Sequence, residues 1–112
     1  MQEDFDENLK IAVFLRTIRG ILGCSQREFA EMLKLPLSTI TRVEVMDMSI
    51  RYADHKKIMQ ALPELGIHCD PDRIPMHFEL GEPVFKLAKK QIETKRQIKE
   101  MKKSAVPSLE SD

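Results

Sequence analysis

One short stretch of the sequence carries polar side chains that would share a single helix face. In LSTITR, residues 37–42, helical spacing groups two hydroxyls, a guanidinium and one apolar side chain: Ser38, Thr41, Arg42 and Leu37. These groups match the edges of nucleic-acid bases, because arginine pairs with guanine and an apolar side chain meets the thymine methyl group. The stretch therefore indicates a base-reading surface, with an ordinary solvated helix face as the alternative.

The residues before this stretch predict two helices that would hold it in place. Apolar residues at helical spacing indicate a first helix, with a left-handed cap at Gly23: Ile11, Phe14, Leu15, Ile18 and Leu22. Ser25 and Glu28 form a capping box, in which each side chain satisfies a backbone amide of the other residue. A second helix is expected to begin there and to bury Phe29, Ala30 and Leu33.

A third helix is predicted to begin near Pro36, because proline suits the first turn of a helix and not its interior. Its expected buried pair is Ile40 and Val43. The second and third helices are each about eight residues long with a connection of only about three or four, so they must cross at a steep angle. The small side chain of Ala30 permits a close crossing, and Leu35 would fill the space beside it.

The remainder of the chain predicts one further helix, a connector and a terminal helix. A fourth helix is expected over residues 51–62. Prolines and glycines interrupt the segment from Pro63 to Pro83, which predicts a connector with at most a short strand in MHFEL. A last helix is expected over residues 84–103.

Charged residues are distributed unevenly along a chain that has 18 basic and 18 acidic residues and no net charge. Residues 1–8 carry four acids and no base, whereas residues 84–103 carry eight bases and two acids. The chain as a whole therefore lacks the basic excess that would indicate a nucleic-acid partner. The sequence predicts instead a local basic surface on the terminal helix.

Six residues fall at offsets that are typical of one family of regulators: Arg19, Ser25, Gln26, Ala30, Ile40 and Glu44. Through them, residues 15–62 resemble the Cro and lambda-repressor type helix-turn-helix domain, also called the xenobiotic-response-element family. The resemblance implies a lambda-repressor-like bundle of four to five helices, here with a C-terminal helical extension. It also implies binding of double-stranded DNA, with the third helix in the major groove.

The resemblance implies roles for individual residues. Gln26 would bind a backbone phosphate and brace the first turn of the third helix, Leu37 would meet a thymine methyl group, and Arg42 would bind guanine. Arg19 and Glu44 would form an ion pair at the rim of the core, where a charge is tolerated mainly when it is paired. The expected DNA-binding set is Gln26, Arg27, Leu37, Ser38, Thr39, Thr41 and Arg42.

The sequence departs from the family pattern in three places. Lys34 stands in the turn where glycine is common, and a non-glycine residue in the left-handed conformation costs about 1 kcal/mol. Pro36 and Leu37 stand where polar residues are usual, and EVMD replaces ENG from Glu44 onward. These departures concern contacts with DNA more than the fold.

Other reactive residues show no arrangement typical of catalysis or metal binding. The cluster HCDPDRIPMH, residues 68–77, fits no common zinc spacing, because adjacent His and Cys cannot easily bind one tetrahedral ion. Cys24 and Cys69 are interpreted as free thiols, and no base is placed to activate either. No metal, cofactor or enzymatic activity is expected.

The terminal helix has two candidate functions. Apolar residues near its start would pack on the body or form a dimer interface with a second subunit: Val84, Phe85, Leu87, Ala88 and Ile92. The bases of its far end would instead contact DNA phosphates. A solvated helix without a partner is the remaining interpretation.

The sequence thus predicts an all-α protein organised as an acidic segment over 1–8, a helix-turn-helix domain over 9–66, a connector over 67–83, a basic helix over 84–103 and a disordered tail over 104–112. Its expected function is that of a dimeric repressor that reads a palindromic operator. The alternatives are an antitoxin that represses its own operon and binds a toxin, or an interaction module that has lost DNA binding. The acidic start and the lack of a long apolar run predict a cytoplasmic protein without membrane segments.

Overall fold

The computed structural model describes residues 2–105 of the 112-residue chain, with side chains described for residues 7–103. These residues form an all-α architecture with one very small antiparallel sheet. The elements are α1 (Gln2–Leu22), α2 (Gln26–Leu33), α3 (Leu37–Glu44), α4 (Tyr52–Glu64), β1 (Ile67–His68), β2 (Glu79–Leu80) and α5 (Glu82–Ala105). Of the tail predicted over 104–112, the first two residues continue α5 and the others lie outside the described residues.

Helix α1 begins at Gln2, so the acidic segment is helical from its second residue onward. The sequence interpretation placed the start of this helix after the acids, where buried apolar residues begin. Acidic residues favour the first turns of a helix, because the amino terminus of a helix carries a partial positive charge. The helix can therefore begin well before its first core residue.

The core lies where α1 crosses α2 and α3, and α4, β1 and the start of α5 close it. Its members are Ile11, Phe14, Leu15, Ile18, Leu22, Cys24, Phe29, Ala30, Leu33, Leu35, Ile40, Val43, Ile58, Leu62, Ile67 and Val84. The apolar positions predicted for the first three helices are all buried, which confirms the helical periodicity there. The ring of Phe14 also stacks on Phe78 of the connector, with ring centroids 6.1 Å apart.

Helix α4 runs through Pro63, beyond its predicted end at residue 62. Pro63 has no amide hydrogen to donate to the Met59 carbonyl, so the last turn of α4 lacks one backbone hydrogen bond. Gly66 closes the carboxyl end of α4, where its amide donates to the Pro63 carbonyl at 3.0 Å. Its φ of +85° is left-handed, and a Cβ at this position would lie 3.0 Å from Cδ of Pro83. Glycine therefore permits the close approach of the two ends of the connector.

The connector contains two short strands instead of one. β1 and β2 pair antiparallel, with Ile67 opposite Leu80 and His68 opposite Glu79. Only β2 lies in the MHFEL segment where a strand was predicted. The pairing brings the start of α5 beside the end of α4.

Helix α5 is fixed to the body at its start and then extends away from it. Val84 is only 2% exposed and Leu87 packs partly against the core. Val84 therefore packs on the body of its own chain, which is one of the two roles expected for the apolar start of this helix, and it is not available to a dimer interface. The described part of the molecule is elongated, with principal extents of 61 × 31 × 25 Å.

None of the helices within residues 2–105 has the length and hydropathy that a bilayer crossing requires.

Candidate nucleic-acid interface

The amino terminus of α2 is fixed by the predicted capping box. The Glu28 amide donates to Ser25 Oγ at 3.1 Å, and the Ser25 amide donates to Glu28 Oε1 at 2.8 Å. The bonds from the Ser25 backbone and side chain lower the pKa of Glu28. Arg27 is exposed in the same turn, so it is open to a ligand at this end of α2.

We expect Ser25→Ala to lower the free energy of unfolding by about 1 kcal/mol, because it removes the cap on the Glu28 amide. Since the folded protein lowers the pKa of Glu28, the carboxylate stabilises the fold above its unfolded pKa and loses this contribution as the pH falls. The variant should therefore lose less stability on acidification. Urea unfolding at neutral and acidic pH measures both effects, with Ser49→Ala, an exposed serine outside the helices, as the control. Equal stability of Ser25→Ala and wild type at neutral pH would contradict the role of the cap.

The turn between α2 and α3 is closed by a left-handed lysine. Lys34 has φ 58° and ψ 44°, in the position where the sequence predicted a left-handed residue in place of glycine. The Leu35 amide then donates to the Ala30 carbonyl at 2.9 Å, and the Leu35 side chain is buried beside the crossing. Pro36 forms the N-cap of α3 without a side-chain hydrogen bond. The turn therefore fixes the direction of α3 through its backbone and its apolar contacts.

The side chains of α3 differ in their exposure to solvent. Ser38 and Arg42 are exposed, Thr39 and Thr41 are half-buried, and Leu37 is half-buried against the core. The Thr41 hydroxyl donates to the Ser38 carbonyl at 3.1 Å. The polar groups predicted to read bases thus lie on the open side of α3, whereas Leu37 has only part of its surface available for a thymine methyl group.

Arg42 has a partner that the sequence interpretation missed. Its Nε lies 3.1 Å from Asp47 Oδ2, and both side chains are more than half exposed. Met46, in the left-handed conformation with φ 62°, turns the chain so that the Asp47 amide donates to the Arg42 carbonyl at 2.8 Å. Side chains that pair along a helix are three or four residues apart, whereas Arg42 and Asp47 are five apart. The contact therefore depends on the turn after α3, which the sequence did not predict.

The carboxyl end of α3 is tied to α1 by the predicted ion pair. Arg19 Nε and Nη2 lie 2.6 and 2.7 Å from the two oxygens of Glu44, which is a bidentate arrangement. The Glu44 side chain is 2% exposed and that of Arg19 is 22% exposed. The hydrogen bonds to Glu44 raise the pKa of Arg19, so the guanidinium stays charged.

Gln26 joins the same cluster. Its Nε2 donates to Glu44 Oε1 at 3.2 Å, so it braces the last turn of α3. The expectation that Gln26 braces the first turn of α3 is therefore wrong, because the buried carboxylate offers it a stronger acceptor. Three helices meet at one carboxylate, and this contact fixes α3 relative to α1 and α2.

The residues that could bind a metal or react as thiols are dispersed or buried in the described part of the chain. No group of three or more His, Cys, Asp or Glu side chains within them is arranged to hold a metal ion. Cys24 and Cys69 are free thiols, and burial raises the pKa of each. A protonated thiol is a poor nucleophile, so neither residue has the environment of a reactive cysteine.

Comparison of the chain with protein-family models, with curated proteins and with solved structures finds no match. The structure and chemistry of the residues themselves therefore carry the functional argument.

Proposed function

We propose that this protein is a sequence-specific, double-stranded DNA-binding transcriptional regulator of the helix-turn-helix type. In this proposal α2, the turn at Lys34 and α3 form the DNA-binding unit, and α3 enters the major groove. Ser38, Thr41 and Arg42 would contact base edges, and Arg27 at the amino terminus of α2 would contact a phosphate. The regulator is proposed to be a repressor.

The observation that carries the proposal is a polar, open face on a helix whose position is fixed by buried contacts. Sequence reading requires that side chains reach base edges at defined positions, which a loosely held helix cannot provide. The Arg19–Glu44–Gln26 cluster supplies this rigidity at the carboxyl end of α3. An ordinary surface helix would need no buried carboxylate at the end of its exposed face, since burying a charge is costly unless it is paired.

A dimer is part of the proposal, because one small domain contacts few base pairs. Phe85 and Ile92 are 62% and 59% exposed on α5, and Ala88 is half-buried between them. These positions lie one and two turns apart on the same side of the helix. They are the part of the predicted dimer set that remains available to a second subunit, since Val84 and much of Leu87 pack within the chain.

Selection from a random duplex library tests the proposal with the full chain. The wild-type protein is expected to enrich one motif, and the motif should be palindromic if the protein binds as a dimer. Ser38→Ala should retain binding but alter the enriched base at one position of each half-site. The matched control is Ser49→Ala, which removes an exposed hydroxyl outside α3 and should enrich the wild-type motif. A wild-type selection that enriches no sequence over the input library would overturn the proposal.

A further inference from the structure

The bases of α5 fall into two groups that differ in their surroundings. In the first half, Lys86 lies 3.7 Å from Glu82 and Lys89 lies 3.9 Å from Glu93. In the second half no ion pair within 4 Å is formed by the described side chains of four exposed bases: Arg96, Lys99, Lys102 and Lys103. Among the side chains that the structure describes, no acid therefore forms an ion pair with these four bases.

The outer bases also share one side of the helix. At about 100° per residue, five bases fall within about one third of the circumference of α5. They are Lys95, Arg96, Lys99, Lys102 and Lys103. The two acids of this region, Glu93 and Glu100, lie outside that sector. We call these five residues the basic stripe.

The start of the basic stripe is fixed against the connection between α1 and α2. Lys95 Nζ donates to the Gly23 carbonyl at 2.7 Å and thereby caps the carboxyl end of α1. Gln91 lines a cleft together with Glu28 of the capping box, so the middle of α5 lies against the amino terminus of α2. In a helix-turn-helix complex this end of α2 faces the DNA backbone.

We propose that the basic stripe binds the phosphate backbone of DNA beside the half-site that α3 reads. This inference rests on the proposed function and adds to it a second, sequence-independent contact. The contacts at Gly23 and Glu28 place the start of the stripe near the amino terminus of α2, and the remaining bases follow α5 outward from there. The buried side of the start of α5 anchors the helix, because Val84 and Leu87 hold it to the core.

The length of the basic stripe determines how strongly it should affect the salt dependence of binding. From Lys95 to Lys103 the helix advances about 12 Å, which is comparable with about three or four phosphates of one DNA strand. Each phosphate contact contributes about 0.9 to the slope of log affinity against log salt concentration. Three bases of the stripe should therefore account for about two to three units of that slope.

Two triple variants of the full chain, equal in charge, test the proposal. The outer variant carries Lys99→Gln, Lys102→Gln and Lys103→Gln, and the inner control carries Lys86→Gln, Lys89→Gln and Lys90→Gln. All six lysines are exposed, so both variants should keep the wild-type circular dichroism and melting temperature. Affinity for a random-sequence duplex of about 30 base pairs, measured at several salt concentrations, gives the slope for each protein.

The outer variant should show a slope smaller than that of wild type by about two to three, and the inner control a change below about one. If wild type binds DNA and the slope changes equally in the two variants, the proposed phosphate binding by the basic stripe is wrong. The proposed function would remain. Failure of wild type to bind any duplex would overturn both.

Discussion

Replacing Glu44 with alanine is expected to lower the free energy of unfolding by roughly 2–3 kcal/mol. This value lies between the cost of losing one charged hydrogen bond and the cost of breaking a fully buried ion pair. The variant leaves the Arg19 guanidinium without the two oxygens that it binds at 2.6 and 2.7 Å, and it leaves Gln26 without its acceptor. Arg19 retains some access to water, so the cost should not reach the upper end for buried pairs. Urea denaturation of the purified protein measures the change.

The matched control is Asp47→Ala, which removes the other carboxylate that binds an arginine near α3. Its pair with Arg42 is more than half exposed on both sides, so its loss should cost less than about 1 kcal/mol. The double variant Arg19→Met/Glu44→Leu replaces the buried pair by apolar side chains and should recover much of the stability that Glu44→Ala loses. If Glu44→Ala and Asp47→Ala destabilise equally, the cluster does not hold α3 in the way described.

The fold of the first half of the chain could be predicted because several local signals agree there. The capping box at Ser25 marks the start of α2, the proline marks the start of α3, and the apolar spacing agrees with both. Such agreement between local signals is what specifies a structure. The Arg19–Glu44 pair was predictable only through the resemblance, since no local rule connects residues so far apart in sequence.

Contacts that depend on the direction of the chain outside helices could not be predicted. Asp47 reaches Arg42 because Met46 adopts a left-handed conformation, which is uncommon for a residue other than glycine and has no strong sequence signal. The sequence left open whether Val84 packs within its own chain or on a second subunit, because an apolar residue at the start of a helix can do either. The pairing of β1 with β2, which the sequence did not reveal, brings Val84 into the core.

Replacing Arg42 with alanine is expected to weaken binding to the selected motif by about 1–3 kcal/mol and to relax base preference at one position of each half-site. The physical reason is the loss of a forked donor that the open face of α3 would present to a base edge. Folding should be unaffected, because Arg42 is exposed and its bond to Asp47 lies at the surface. Titration of the wild-type motif and of single-base variants of it measures affinity and preference together.

The control is Arg73→Ala, which removes the same charge from the exposed connection between β1 and β2. It should leave base preference unchanged. If Arg42→Ala binds the motif with wild-type affinity and base preference, α3 is not the reading helix.

Asp47 provides a more specific test of the same contact. In the free protein its carboxylate holds the Arg42 guanidinium, so DNA must displace it before the arginine can bind a base. Breaking an exposed pair costs at most about 1 kcal/mol, so Asp47→Asn should tighten binding to the motif by up to about fivefold. Part of any gain will come from removing a negative charge near phosphate, and that part should persist when Arg42 is alanine. The remainder should disappear in the Arg42→Ala/Asp47→Asn double variant, because the two residues act on one contact. Equal gains in both backgrounds would mean that Asp47 acts only through its general charge and that Arg42 is not released to a base.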